Sequence, residues 1–165
     1  LIMAQSGQYN YLRCLKHGEN EAAQLACTEI VNAAMKVIYL LNGRYMPYYK
    51  WSFRGLRKMA AEGIIDESIV NQLSFILTAG LPNYSGDDAE HSDSFSTIIG
   101  GSVPVSQAAI EKYDCIEETA SNVITMLQER NMTKAICTDL EKHAYSVNDE
   151  IADGDLRNMH VLAAV

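Results

Sequence analysis

The stretch that decides the fold is Glu19–Asn42, "ENEAAQLACTEIVNAAMKVIYLLN". Its apolar residues recur at spacings of three and four, which is the period of one face of an α-helix. They are Ala23, Ala26, Ile30, Ala33, Ala34, Val37, Ile38, Leu40 and Leu41, and the polar stripe is Glu21, Gln24, Thr28, Asn32 and Lys36. An apolar stripe this wide predicts a long, largely buried helix, ended by Gly43, at the centre of a helical bundle.

Helical periodicity also dominates the rest of the chain, and no run alternates as a β-strand would. Further helices are predicted at Gln5–His17, at Tyr48–Ala61, from a cap at Asp66 to Thr78, at Ser106–Arg130 and at Thr133–Asp153. The last of these is expected to use Ile136, Leu140, Ala144, Val147 and Ile151 as its apolar stripe, and the tail after it to add one turn. Residues 80–105 are rich in Gly, Ser, Asp and Pro, which predicts a long acidic loop. The fold class is therefore all-α, a single domain over residues 1–165 built as a bundle of five to six helices.

Composition narrows the class of protein. The chain has 165 residues, 48% of them hydrophobic and 21% charged, which excludes wholesale disorder. A net charge of −8 argues against general nucleic-acid binding. No uninterrupted apolar run reaches the roughly 18 to 20 residues of a membrane span, so a cytoplasmic protein without a membrane partner is expected. Because the chain begins with Leu1 and its first Met is Met3, we expect it to be a C-terminal fragment of a longer chain.

The sequence contains no motif that indicates a metal site or a redox centre. The four cysteines, at positions 14, 27, 115 and 137, are widely spaced, with no C-x-x-C pair and no His at ligand spacing. They are expected to be reduced, buried thiols that behave as small apolar residues. The sequence also lacks the phosphate-binding loop, the dinucleotide fingerprint, the nucleophile elbow and the H-E-x-x-H motif. No catalytic and no metal-binding residue is assigned.

One segment, "GRYMPYYKWSFRGLRKM" at Gly43–Met59, concentrates positive charge in an acidic chain. It holds five of the 13 cations and no carboxylate. Lys50, Arg54 and Arg57 fall at i, i+4 and i+7 and so share one helix face. Nearby aromatic rings could stack on a base or sugar while the cations hold phosphate oxygens. The candidate anion-binding residues are Arg44, Tyr49, Lys50, Trp51, Arg54 and Arg57.

An alternative interpretation of the same segment needs no ligand. In it, the cations form a solvated face paired with acidic residues of neighbouring helices, and the aromatic residues belong to the core. Two secondary candidates lie elsewhere. Arg13 shares a helix face with Asn10 and His17, and His143 lies one turn from Asp139, a spacing that suits acid–base work but is more often structural.

Three segments together carry a family resemblance. They are "GQYNYLR" at Gly7–Arg13, "LLNGRYMPYYKWSFRGL" at Leu40–Leu56 and "LEKHAYSVNDEIADGDLRNMH" at Leu140–His160. The chain resembles the helical domain of unknown function found C-terminal to polymerase-beta-like nucleotidyltransferase domains in bacterial proteins. This resemblance implies an all-α bundle that helps enclose nucleotide or acceptor, while magnesium and a nucleoside triphosphate are held by the N-terminal catalytic domain of the same parent chain. This chain lacks the Gly-Ser followed by an Asp-x-Asp pair on a strand that such a catalytic domain uses to hold magnesium.

Two functions of different class are consistent with these observations. In the first, the chain is the non-catalytic, substrate-enclosing domain of a nucleotidyltransferase, with no cofactor of its own; Lys50 and Arg54 meet a phosphate or an anionic acceptor, and Tyr49 or Trp51 supplies a stacking face. In the second, it is a protein-interaction or dimerisation module, for example a homodimer, without nucleotide dependence. An upstream catalytic domain with paired aspartates, and nucleotide binding that requires Lys50 and Arg54, would separate the first from the second.

Overall fold

A computed structural model of the protein describes residues 1–79, 96–98 and 104–160. The described residues form seven helices: α1 Ile2–Lys16, α2 Asn20–Leu41, α3 Tyr49–Ala61, α4 Glu67–Thr78, α5 Gln107–Glu129, α6 Leu140–Asp149 and α7 Gly154–Arg157. Two short strands, β1 Ser96–Ile98 and β2 Pro104–Ser106, pair antiparallel with Thr97 opposite Val105. The predicted all-α class is confirmed, and the helix count is close to the predicted five to six.

Helix α2 is the centre of the core, as its apolar stripe predicts. Ten of its residues are buried, among them Cys27, Ile30, Ala34 and Ile38. It packs against α1, α4 and α5. Leu40, which the pattern assigned to the stripe, is 59% exposed instead, because it follows Asn32 and Lys36 at spacings of four and so lies on the polar side of the helix.

The contact between α1 and α2 is unusually close at Gly7. A Cβ at this position would lie 2.6 Å from both the Ala26 carbonyl oxygen and the Ile30 amide nitrogen. Backbone atoms of a helix cannot move aside individually, so the two helices approach this closely only because residue 7 has no side chain. Tyr11, one turn further on, is 1% exposed, and its hydroxyl donates to the Ala109 carbonyl oxygen of α5 at 3.2 Å.

Local capping chemistry sets two further helix starts. The Asp66 carboxylate accepts from the Ser68 backbone N–H at 2.8 Å, as the sequence predicted for the start of α4. This hydrogen bond to the charged form lowers the pKa of Asp66 below its usual value. Ser106 caps α5 in the same way, through its hydroxyl and the Ala109 N–H.

The prediction of the sixth helix, Thr133–Asp153, was wrong at both ends, since α6 ends at Asp149 and Ile151 lies beyond it. Residues 133–139 are not helical, and α6 begins at Leu140, where the Asp139 side chain accepts from the Glu141 N–H at 3.0 Å. Thr133 does not cap a helix because its hydroxyl is engaged with His143 and with the Ala135 N–H. Ile136 consequently leaves the predicted apolar stripe and is 97% exposed. The extra turn expected in the tail is α7, whose cap is Asp153.

The long acidic loop predicted at residues 80–105 lies outside the described residues, except where β1 and β2 fall within it. These three-residue strands were not predicted, because runs this short give too few positions for an alternating pattern to be detected.

Among the described residues, one helix could cross a membrane by its length and composition alone. This helix is α2, which has 22 residues. The sequence predicted no membrane span, because no uninterrupted apolar run is long enough. The apolar composition of α2 follows from its place in the core, since a central helix that packs on several neighbours passes the same test as a membrane span.

All four cysteines are free thiols, as expected, but the expected burial is confirmed only for Cys27, since Cys14, Cys115 and Cys137 are partly exposed. Cys27 is fully buried, and burial raises its pKa to about 11. Cys115 is partly buried with a pKa also raised to about 11, again chiefly by burial. A high thiol pKa leaves little thiolate at neutral pH, so these two residues are poor nucleophiles.

Candidate anion-binding site

The chain between α2 and α3 fixes where the cationic segment emerges. Helix α2 ends at Leu41 and is followed by the capping residue Asn42 and by Gly43 at φ 64°, a left-handed conformation that glycine adopts without strain. The Arg44 N–H then donates back to the Tyr39 carbonyl oxygen at 2.9 Å and closes the helix end. A short extended segment leads to Tyr48, the residue that precedes α3.

Helix α3 is anchored by one narrow face. Ser52, Leu56 and Met59 are buried there. The buried Tyr39 hydroxyl donates to the Ser52 carbonyl oxygen at 2.7 Å, and Gly55 provides the space in which the Tyr39 ring lies. Burial raises the pKa of Tyr39, which keeps this hydroxyl a neutral donor. The anchoring face leaves the other sides of α3 to solvent.

The aromatic residues at the start of α3 are exposed. Tyr48 is 60%, Tyr49 65% and Trp51 52% accessible. Their rings form one cluster, with centroids of Tyr48 4.5 Å from Tyr49 and 6.2 Å from Trp51. Tyr45, just before the cluster, is 90% exposed. The alternative in which these aromatic residues belong to the core is therefore wrong for all four.

The cations of this segment divide into two groups. Arg44 and Lys58 both pair with Glu62, at 3.3 and 3.7 Å, on the side of the C-terminal end of α3. Lys50 and Arg54 are exposed, and their side chains form no ion pair or hydrogen bond with any other residue that the structure describes. Arg57 lies between the groups, its guanidinium 5.8 Å from the centroid of the Phe53 ring. The charge near the aromatic cluster is thus not neutralised by protein acids among the described residues.

We call the surface formed by Tyr48, Tyr49, Lys50, Trp51 and Arg54 the aromatic–basic face. It combines flat apolar rings with two uncompensated cations on the first turns of one helix, with no acidic residue in the first turn. The positive end of the helix dipole adds to the same potential. Chemically, this arrangement suits a ligand that joins a flat ring to a negative group. Tyr48 is the member that the site prediction omitted, although the consecutive tyrosines of "PYYKW" were a visible signal.

The secondary candidates lie elsewhere in the structure. Arg13 is exposed on α1, where its guanidinium stacks over the Tyr9 ring at 4.9 Å. This contact fits the polar outer face that was the alternative interpretation of its helix row.

His143 is fully buried, and neither of its ring nitrogens contacts the Asp139 carboxylate. Nε2 lies 2.9 Å from the Cys137 carbonyl oxygen and Nδ1 lies 2.9 Å from the Thr133 hydroxyl. A carbonyl oxygen only accepts, so Nε2 carries the proton and Thr133 donates to Nδ1. The pair with Asp139 that the spacing allowed does not form, and His143 is instead a structural histidine that holds the segment before α6.

No group of three or more His, Cys, Asp or Glu side chains within the described ranges is arranged to hold a metal ion. The aromatic–basic face offers cations and rings, which do not coordinate magnesium. Any magnesium chemistry in a parent enzyme would need donors other than these.

The fold and the face together define a class: a helical bundle that presents an exposed aromatic–basic face on one of its shorter helices. Residues 1–52 match the family model described as "Domain of unknown function (DUF4037)". The matched range covers α1, α2 and the start of α3, so it includes Lys50 and Trp51 but stops before Arg54. No curated protein and no solved structure matches the chain.

Proposed function

We propose that this chain is the non-catalytic helical domain of a nucleotidyltransferase and that it helps to enclose nucleotide or acceptor beside a magnesium-binding catalytic domain. In this proposal, the catalytic domain precedes Leu1 in the same parent chain and supplies the metal carboxylates. The helical domain contributes binding surface and no catalytic residue, and the parent acts in the cytoplasm as a transferase.

One observation carries the proposal: three exposed aromatic rings cluster beside two cations that have no partner in the described parts of the chain. Exposed rings forgo the stabilisation that burial would give, about 25 cal/mol for each Å² of apolar surface. A ligand that covers them recovers part of it. Stacking on a base is worth about 1–3 kcal/mol, and a charge-assisted contact to a phosphate about 1.5–3 kcal/mol. A nucleotide offers both groups at once.

The resemblance in three segments supports the assignment to a nucleotidyltransferase parent, since one of them contains the site and another contributes to the core. "LLNGRYMPYYKWSFRGL" contains the whole aromatic–basic face together with Gly55, and "GQYNYLR" contains Gly7 and Tyr11 of the core. The match of residues 1–52 to a domain of unknown function is compatible with this assignment and is less specific than it.

The single tryptophan of the chain makes the proposal directly testable. Because Trp51 is the only one and belongs to the face, its fluorescence, excited at about 295 nm, reports on that surface alone. ATP titrated into the 165-residue chain should quench it saturably. Adenosine has the base without the phosphates, and inorganic triphosphate has the phosphates without the base. Each should bind at least about tenfold more weakly than ATP.

Charge variants distinguish ATP binding at the aromatic–basic face from non-specific electrostatic attraction to the protein. Lys50→Ala and Arg54→Ala should each weaken ATP about tenfold, because each removes a charge-assisted contact. Lys16→Ala, which removes an exposed cation at the end of α1, is the matched control and should leave the affinity within about twofold. Equal effects of the three variants, or no saturable quenching, would contradict nucleotide binding at this face.

The parent assignment has its own test, which does not depend on ATP affinity. The reading frame upstream of the Leu1 codon should encode a Gly-Ser element and an Asp-x-Asp strand. A frame without them would refute the nucleotidyltransferase parent even if the face binds ATP.

The protein-interaction module remains the second candidate, and the same exposed residues favour it specifically. Tyr, Trp and Arg are the residue types that carry most binding energy at protein interfaces. A homodimer through the aromatic–basic face would show twice the monomer mass in light scattering without nucleotide, and Trp51→Ser should return it to the monomer. A monomer that quenches with ATP would decide for the first candidate.

A further inference from the structure

A second candidate site lies on different elements, in a groove between α1, α5 and the irregular segment before α6. Its volume is about 570 Å³, within the range of small-molecule sites. Gln8 comes from α1, Glu117 and Ile124 from α5, and Ile136 from the irregular segment. None of these residues belongs to the aromatic–basic face.

The polar part of the groove contains two acceptors, the Gln8 carbonyl oxygen and the Glu117 carboxylate. The Gln8 side chain, 9% exposed, donates from Nε2 to the Glu117 carboxylate at 2.9 Å. Its own carbonyl oxygen, Oε1, is buried and has no hydrogen-bond partner among the described residues. Glu117 is half-buried, also interacts with the Tyr113 hydroxyl, and forms no ion pair with any described cation. An unsatisfied buried acceptor costs roughly 1–3 kcal/mol, so its presence beside an unpaired carboxylate needs an explanation.

The lining carries no basic side chain. Apart from Glu117, the residues around the groove are neutral. The hydroxyls of Ser121, Thr125 and Thr138 lie among these lining residues, where they can act as donor or as acceptor. The electrostatics of the groove therefore favour a ligand that donates hydrogen bonds and carries positive charge.

The apolar wall is held in place by the buried histidine. Ile136 is 97% exposed, and the segment that bears it is fixed on both sides by the His143 ring, which bonds Thr133 and Cys137. The Gln128 amide also donates to the Ala135 carbonyl oxygen at 3.3 Å. An isoleucine presented to solvent by a backbone that is pinned at several points is a fixed apolar surface, and it faces the same groove as Ile124.

From these observations we infer that the groove binds a small alkylamine. The ammonium group pairs with the Glu117 carboxylate, and a small rotation of the Gln8 amide brings its free carbonyl oxygen to the same group. The alkyl stem lies between Ile124 and Ile136. A free amine is favoured over a lysine side chain because the groove has room for a whole molecule rather than for one side chain. This site is independent of the proposed nucleotide site, and either can fail without the other.

The test uses n-hexylamine as the probe and 1-hexanol as its uncharged counterpart. Calorimetry on the 165-residue chain should detect saturable binding of hexylamine and at least about tenfold weaker binding of hexanol, since one charge-assisted hydrogen bond is worth about that factor. Tighter binding of Nα-acetyl-lysine methylamide than of hexylamine would overturn the assignment to a free amine. Absence of saturable hexylamine binding would overturn the site itself.

Two variants localise the binding. Glu117→Gln keeps the shape of the side chain and removes its charge, so it should weaken hexylamine at least about tenfold. Glu118→Gln makes the same change at an exposed neighbour outside the groove and should leave the affinity within about twofold. Equal effects of the two variants would refute the role of Glu117.

The Ile136→Ala variant tests the apolar contact without changing the stability of the fold. Its side chain is almost fully exposed, so truncation removes no core contact and should leave the unfolding midpoint unchanged. Hexylamine affinity should nevertheless fall about threefold or more, because part of the stem loses its apolar surface. An unchanged affinity in this variant would show that the alkyl stem does not lie on Ile136.

Discussion

Replacing Gly55 by alanine should destabilise the protein through a single atom, the hydroxyl oxygen of Tyr39. A Cβ added at residue 55 would overlap that oxygen, while the next ring atom, Cζ, would lie 3.2 Å away and Cε1 3.6 Å. The hydroxyl cannot simply turn aside, because it is buried and donates to the Ser52 carbonyl oxygen at 2.7 Å. The Tyr39 ring must therefore move, and α3 with it.

The magnitude follows from three contributions. Overpacking of a well-packed site costs about 2–3 kcal/mol, and loss of the Tyr39 hydrogen bond about 1 kcal/mol more. Alanine offsets about 1 kcal/mol through its better helix propensity. The net loss for Gly55→Ala is then about 2–3 kcal/mol. Tyr39→Phe alone loses the hydrogen bond and should cost about 1 kcal/mol.

The double variant tests whether the loss of stability comes from overlap of the new Cβ with the Tyr39 hydroxyl or from any change at residue 55. Without the hydroxyl, the added Cβ meets a ring that has to yield only a few tenths of an ångström. Tyr39→Phe with Gly55→Ala should therefore cost about 1 kcal/mol, well below the sum of the single variants, which gives a coupling of about 2–3 kcal/mol. Urea unfolding monitored by circular dichroism measures these differences from the shift in midpoint at constant slope. Additive effects of the two substitutions would refute the steric argument.

Three further predictions concern the core, a thiol and a helix cap. Gly7→Ala should lower stability by about 2 kcal/mol or more in urea unfolding, because its Cβ would lie 2.6 Å from backbone atoms of α2, whereas Gly154→Ala, with nothing within 4 Å, should be neutral. Cys27, whose pKa burial raises to about 11, should resist alkylation in the folded protein and react only after denaturation, as peptide mapping by mass spectrometry would reveal. The pKa of Asp66 is lowered on folding by the Ser68 N–H, so its stabilisation is present above the ordinary pKa of 3.8 and is lost as the pH falls through the folded value. The melting temperature should consequently fall more on acidification in the native chain than in Asp66→Asn, whose neutral cap does not titrate.

Much of the fold could be predicted from the sequence because burial in this protein follows helical period closely. The apolar stripe of Glu19–Asn42 corresponds to the buried face of α2, and the Asp66 cap lies where a short acceptor precedes an apolar run. The start of α6 could not be predicted in this way. Thr133 and Asp139 are both good cap residues, and the choice between them depends on a tertiary contact, the engagement of Thr133 with the buried His143 ring.

The candidate sites also depend on tertiary contacts that helical period does not predict. The spacing of Lys50 and Arg54 predicted a shared basic face, since that depends on local helix geometry alone. Whether the neighbouring aromatic residues are buried depends on which helices cover α3. The helical spacing of apolar residues does not predict which helices these are. The groove around Gln8 and Glu117 had no sequence signal, because its residues come from three segments that are far apart in the chain.

The exposure of the aromatic cluster is the strongest argument that the surface of α3 has a binding role. Tyr11 and Tyr39 show what this fold does with tyrosines it uses for stability: both are buried, and each hydroxyl donates to a backbone carbonyl of another segment. Tyr48, Tyr49 and Trp51 differ in every respect, since their rings are exposed and pack mainly on one another. Burial of such rings elsewhere in the fold would stabilise it by about 25 cal/mol per Å² of apolar surface. The aromatic–basic face forgoes this stabilisation and lies next to two cations without partners in the described chain. A ligand or a partner that covers the face explains both features best. The Trp51 titration distinguishes the ligand from the partner.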